Sequence, residues 1–303
     1  MHDLIIVGGG PAGLNAALYA ARAGLDALLF EKMFAGGQMV KTTSLDNYIG
    51  FPQGVGAVDL AMNMEEQAKN AGAKILYEEI VELDLSAKTK IVTTSKQKYE
   101  AKTVILCMGA EPRMLGIEGE ERLRGLGVSY CATCDGAFFK GKTVAVVGGG
   151  DTALEDVLFL SRYCEKIYLI HRRDSFRGAK ILADKVMDCS NVELILDSVA
   201  EKIEGEKTVE KLLVRNVKED VCRELILDGV FIAVGTKPNT EQVKNQLRLY
   251  DGYIDAGEDT KTSLAGVFAA GDVRKKPLRQ VITAAADGAV AVYAAMKYLD
   301  TEF

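Results

Sequence analysis

A glycine-rich turn of one particular grammar occurs twice in this chain, and few folds accommodate even one copy. In the first, the short apolar run Leu4–Val7 reads as a buried parallel strand and leads straight into Gly8-Gly9-Gly10-Pro11-Ala12-Gly13. Gly8, Gly10 and Gly13 give the spacing G-x-G-x-x-G; Leu14, Ala17, Leu18 and Ala21 then recur at helical spacing until Gly24 stops the helix. A second apolar run, Ala27–Phe30, ends in Glu31, about 20 residues past the glycines, where a carboxylate accepts hydrogen bonds from ribose hydroxyls. Glycines let backbone approach a pyrophosphate, and the helix start offers it free N–H groups. A bare glycine motif also arises by chance; strand, helix and acid together favour a dinucleotide site.

The second copy differs where it matters. Thr143–Val147 is an apolar strand, Gly148, Gly150 and Ala153 give G-x-G-x-x-A, and Leu154, Val157, Leu158 and Ser161 continue as a helix. After the next strand, Ile167–Ile170, come His171-Arg172-Arg173 and then Arg177 in place of the acid. A carboxylate repels a ribose 2′-phosphate, whereas guanidinium groups pair with it by charge-assisted bonds. The first site is therefore expected to take an unphosphorylated adenosine ribose and the second NADP. The plainer reading of the arginines is a solvated basic face.

Between the two turns lies Cys131-Ala132-Thr133-Cys134-Asp135. A C-x-x-C pair is a redox dithiol, half a metal site or a coincidence; beside two dinucleotide units the redox reading dominates, with Asp135 placed to move a proton. Zinc would want a second close pair or histidines, and the chain has only His2 and His171. Cys107, Cys164, Cys189 and Cys222 stand alone and are expected to be buried thiols of a reducing compartment. A net charge of −6 argues against nucleic acid or an anionic membrane as the main partner. No apolar run approaches the roughly 20 residues of a membrane span, and the opening lacks the features of a signal peptide, so a cytoplasmic protein is expected.

With these residues in view, the chain resembles the low-molecular-weight thioredoxin reductases of bacteria and archaea over essentially its whole length. Cys-Ala-Thr-Cys-Asp at 131–135 matches that family's active-site signature. Further likeness lies in residues 8–13, in Gly36-Gly37-Gln38, Asn47, His171-Arg172-Arg173, Phe176-Arg177 and Lys237-Pro238-Asn239, and in Gly271-Asp272 and Arg279-Gln280-Val281. Cys107-Met108-Gly109-Ala110 departs from it, standing where the family often has Ala-Thr-Gly-Ala.

The resemblance implies an α/β fold of two Rossmann-like, three-layer ββα nucleotide-binding domains, the NADPH domain inserted into a discontinuous FAD domain. Proline-containing connections at Glu111–Gly116 and Thr236–Thr240 place the boundaries: 1–113 with 241–303 for FAD, and 114–240 for NADPH and the dithiol. The implied FAD residues include Gly37, Gln38, Asn47, Gly271, Asp272 at the ribityl or phosphate region, and Arg279, Gln280 and Val281 bordering the isoalloxazine. A last helix near Thr283–Leu299 is expected to point its positive end at the flavin. Cys134 resembles the family's flavin-proximal thiol and Cys131 the thiol that meets the acceptor, thioredoxin or a thioredoxin-like C-x-x-C protein. Reorientation of the inserted domain between half-reactions and a homodimer are also implied. The rival readings are a ferredoxin-dependent flavin thioredoxin reductase and a non-enzymatic flavoprotein redox sensor.

Overall fold

A computed structural model describes residues 1–303, and the chain packs as two units, Met1–Glu111 with Lys237–Phe303, and Pro112–Thr236. The crossings fall at Glu111/Pro112 and Thr236/Lys237, slightly before the expected boundaries at 113/114 and 240/241. Pro112 and Pro238 lie in the two crossing segments, Ala110–Pro112 and Thr236–Pro238, which pair as a short ribbon.

The first unit is built on a seven-stranded sheet. Its order is Lys74–Tyr77, Ala27–Glu31, His2–Val7, Lys98–Leu106, Lys90–Thr94, Ile80–Asp84, with Val267–Ala269 also paired to Lys98–Leu106. The strand His2–Val7 is parallel to both neighbours, Val7 lying opposite Phe30 on one side and Leu106 on the other. It is covered on both faces, which explains its unbroken apolar run. Leu4 and Ile6 point into one core with helix α1 (Pro11–Arg22) and the C-terminal helix; Ile5 and Val7 point into a second core on the opposite face. Pro11 opens α1 at a position where its missing N–H costs nothing, and Gly24, at φ +73°, ends it. Helix α2 (Ala57–Asn70) follows.

The second unit carries a five-stranded parallel sheet in the order Val128–Ser129, Gly229–Ala233, Thr143–Gly148, Lys166–Ile170, Val192–Ile195. Val144 and Val146 face one core, Ala145 and Val147 the other, repeating the logic of the first unit. Helices α3 (Ala132–Asp135), α4 (Asp151–Leu160) and α5 (Lys180–Met187) belong to this unit. An antiparallel three-stranded sheet, Ser198–Glu204, Lys211–Asn216 and Cys222–Ile226, completes it.

Helix α6 runs Val281–Glu302, starting two residues before the expected Thr283 and extending past Leu299. The reason is a reciprocal cap in which the Gln280 side chain meets the backbone of Thr283 and the Thr283 hydroxyl accepts from Gln280 N–H at 3.1 Å. One expectation is corrected: of the four lone cysteines, Cys107 and Cys164 are buried, but Cys189 is only half-buried and Cys222 is exposed. Cys222 lies on an edge strand, where alternate side chains face water. No helix is long and apolar enough to cross a membrane.

Candidate functional site

In the first unit the glycine turn closes through contacts that exclude larger residues. A Cβ on Gly13 would lie 1.8 Å from the Gly8 carbonyl oxygen, and Gly8 itself, at φ +102°, lies against the Cys107 carbonyl. Such close approach fixes the start of α1 beneath the turn. Glu31 sits where the sequence places it, at the end of the neighbouring strand, and its carboxylate accepts from Gly9 N–H at 2.7 Å. Gly36 N–H donates to the Gly9 carbonyl at 2.8 Å, and Gly37 approaches so closely that its Cβ would lie 3.2 Å from Gly10 Cα. Gly8, Gly10, Gly13, Glu31 and Gly37 thus form one cradle.

The remaining residues nominated in this unit fall around α6. Asn47 donates to Gln280 Oε1 at 3.0 Å, and Gln280 leads into Val281 at the helix start. The Arg279 guanidinium lies 4.0 Å from the ring centre of Tyr253. Gly271 and Asp272 form a short 3-10 turn, and burial pushes the Asp272 carboxyl above the usual range against the pull of Lys276 and Arg279. Three buried polar atoms here have no partner: Gln38 Oε1, Asp272 Oδ1 and Arg279 Nε. Buried acceptors and donors without partners are costly, so together they fit a large polar ligand such as FAD. Cys107 is a bystander; burial raises its thiol far out of the reactive range.

In the second unit the segment after the Lys166–Ile170 strand folds back over the glycine turn. Arg177 and Gly178 N–H groups both donate to the Gly149 carbonyl, at 2.8 and 3.1 Å, and Ala179 N–H donates to Asp151 Oδ1 at 2.7 Å. Arg177 Nη2 lies 3.4 Å from where a Cβ on Gly150 would be. Arg172, Arg173 and Arg177 are exposed, and none is held in an ion pair. Three uncompensated guanidinium groups beside the turn formed by Gly148, Gly150 and Ala153 fit a 2′-phosphorylated nucleotide.

His171 has a different position from the arginines with which it was grouped. It is buried beneath the turn, 2.2 Å from where a Cβ on Gly149 would stand, and packs against Phe176 with ring centres 5.6 Å apart. Burial pushes its pKa down, and Arg172 and Arg173 lower it further, so the ring is a neutral support for the turn rather than a cation. Its Nε2 has no partner.

The dithiol is formed as a disulfide. Cys131 and Cys134 are bonded, both half-buried, with Cα atoms 5.3 Å apart; Cys131 caps the four-residue α3 and Cys134 lies within it. A residue the sequence did not point to organises this turn. The buried Ser129 hydroxyl donates to Asp135 Oδ2 at 2.6 Å and accepts from Cys131 N–H at 3.1 Å. Ser129 ends the short strand Val128–Ser129, a placement not anticipated from the sequence. Asp135 is thereby tied to the backbone of the cysteine it would serve.

The family described as "Pyridine nucleotide-disulphide oxidoreductase" matches residues 2–288. Proteins named thioredoxin reductase from Listeria monocytogenes (45% identical, covering 99% of this chain and 94% of that protein) and Peptoclostridium acidaminophilum (42%, 100% and 98%) align throughout. A crystal structure of thioredoxin reductase from Streptococcus pyogenes superposes with a TM-score of 0.95, 41% identity and 99% of both chains covered. Two dinucleotide turns, a disulfide on the inserted unit and a full-length match converge on one assignment: the chain belongs to the pyridine nucleotide-disulphide oxidoreductase family.

Proposed function

We propose that the protein is an FAD-dependent thioredoxin reductase, carrying electrons from NADPH to thioredoxin through Cys131 and Cys134. The observation that carries this reading is the Cys131–Cys134 disulfide in the same unit as an arginine-flanked dinucleotide turn. FAD, when bound, supplies two-electron redox chemistry between a reduced nicotinamide and a disulfide. The first unit would hold it through the cradle at Gly8–Gly13, Glu31 and Gly37, with Gln38, Asp272 and Arg279 satisfied by its polar groups. Arg172, Arg173 and Arg177 would grip the 2′-phosphate of NADPH.

Once reduced, the pair acts by thiol–disulfide exchange. The Cys131 thiolate attacks one sulfur of the thioredoxin disulfide, forming a mixed disulfide and releasing the other sulfur as a thiolate. The Cys134 thiolate then attacks Cys131 Sγ, re-forming the Cys131–Cys134 bond and freeing dithiol thioredoxin. Asp135, held by Ser129, carries the proton that accompanies opening and closing of the pair. Because donor nucleotide and dithiol ride on one unit and both need contact with one flavin, the unit between the two crossings reorients between half-reactions.

A homodimer is part of the proposal. Val58 and Met62, one turn apart on α2, leave 51% and 60% of their surface exposed, an apolar pair suited to a second copy. A cytoplasmic setting suits four cysteines that remain free thiols. The decisive assay is NADPH oxidation by FAD-loaded protein with a panel of thioredoxin-like acceptors. Thioredoxin-dependent turnover is expected; flavin that NADPH leaves oxidised points instead to a ferredoxin-dependent enzyme or a sensor.

A further inference from the structure

Asp287 interrupts the alanine-rich stretch of α6, and its side chain is only 9% exposed. A carboxylate so placed is costly unless donors and positive charge compensate it. Four hydrogen bonds do so here, three on Oδ2 and one on Oδ1. Asp287 accepts from Gly271 N–H at 2.9 Å, from Arg274 Nε and Nη2 at 2.8 Å each, and from Lys276 Nζ at 2.8 Å. The partners are buried as well: the Arg274 side chain is 2% exposed and that of Lys276 is 4%. Arg274 continues to the Gly257 carbonyl at 3.2 Å and the Glu258 carboxylate at 3.3 Å.

The cluster touches both halves of the first dinucleotide site. Gly288, next to Asp287, packs so tightly on α1 that a Cβ would lie 2.2 Å from the Ala12 carbonyl oxygen. Gly271, at φ +78°, approaches the same residue, with its Cβ position 2.9 Å from Ala12 Cβ. Asp287 and Gly288 therefore fasten two things together: the first turn of the glycine-loop helix and the turn that presents Asp272. Asp272 ends in one of the buried oxygens without a partner, and the Lys276 ammonium is close enough to act on its charge.

We propose that Asp287 is a positioning residue for FAD, setting Asp272 through the Gly271 N–H and holding the Lys276 ammonium as a fixed positive charge in the flavin pocket. This rests on the reading that FAD occupies the first unit. Lys276 has a long, flexible stem, and without the carboxylate it would exchange its buried position for water. A fixed cation there favours added electron density on the cofactor, so the cluster sets potential as well as affinity.

The test uses FAD-depleted wild type, Asp287→Asn, Lys276→Gln and Lys276→Arg, titrated with FAD by fluorescence, with circular dichroism reporting folding. Midpoint potentials are measured on the reloaded proteins. Asp287→Asn is expected to raise the Kd for FAD at least tenfold. Lys276→Gln is expected to raise it several-fold and to make the flavin potential more negative, and Lys276→Arg to return both towards wild type. If wild type fails to bind FAD, the assignment of the cofactor itself falls. If wild type binds while a folded Asp287→Asn binds within twofold of it, the positioning role is overturned. Should Asp287→Asn not fold, Lys276→Gln decides, since it keeps the Gly271 and Arg274 contacts; unchanged affinity and potential refute the inference.

Discussion

At the scale of single residues, the proposed chemistry rests on two sulfurs, three guanidinium groups and one unexpected serine. Cys131→Ser and Cys134→Ser are each expected to abolish thioredoxin reduction while leaving FAD bound, read as NADPH-coupled turnover beside the flavin spectrum. Replacing Arg173 and Arg177 together by Ala should raise the KM for NADPH by at least tenfold, the scale of one or two lost charge-assisted bonds, and leave NADH turnover within about twofold. The cysteines and arginines were legible because their chemistry is carried by spacing along the chain. Ser129 was not, because its role depends on a strand end and a helical turn meeting in space. A further titrating group escaped notice on α4. Burial pushes the Asp156 carboxyl up to about 7, with neighbouring Glu155 adding to the effect. Its unfolded pKa is near 3.9, so as pH rises from about 4 to 7 the unfolded chain ionises first and folding stability falls. Asp156→Asn should therefore be more stable than wild type at pH 8, on the order of 1 kcal/mol after allowing for partial exposure, with no difference at pH 3 by urea unfolding.

At the scale of elements, the two strand–turn–helix units show why a glycine pattern survives translation into structure. In the first turn Gly13 is required by the Gly8 carbonyl, and in the second Gly149 is required by the His171 ring. Gly13→Ala should cost about 1–3 kcal/mol or more by overpacking and release FAD, visible as loss of flavin colour on purification. Gly149→Ala should displace His171 and weaken NADPH binding while the flavin is retained. The first requirement could be anticipated from the motif; the second could not, since His171 reads in sequence as one more member of a basic cluster. Its burial follows from the strand that delivers it, whose last residue hands it inward under the turn. The C-terminal helix gave a similar lesson. The sequence predicts a helix near Thr283–Leu299, but nothing in it singles out Asp287 as the acceptor on which Gly271, Arg274 and Lys276 converge.

At the scale of the whole molecule, the chain leaves its first unit at Glu111 and re-enters it at Lys237, so that one module carries both the nucleotide turn and the disulfide. Pro112 and Pro238 lie in the two crossing segments, where a restricted backbone suits a short, defined connection. On the proposed reading Val58 and Met62 meet a second copy, and a dimer is expected by sedimentation at micromolar concentration. Electron flow through the dithiol is tested most directly by anaerobic alkylation and mass spectrometry after one equivalent of NADPH, on FAD-loaded and FAD-depleted protein. Alkylation of both Cys131 and Cys134 in the loaded sample, with neither labelled in the depleted one, is the predicted result. A disulfide that stays closed in the loaded protein, or opens equally without FAD, would contradict it.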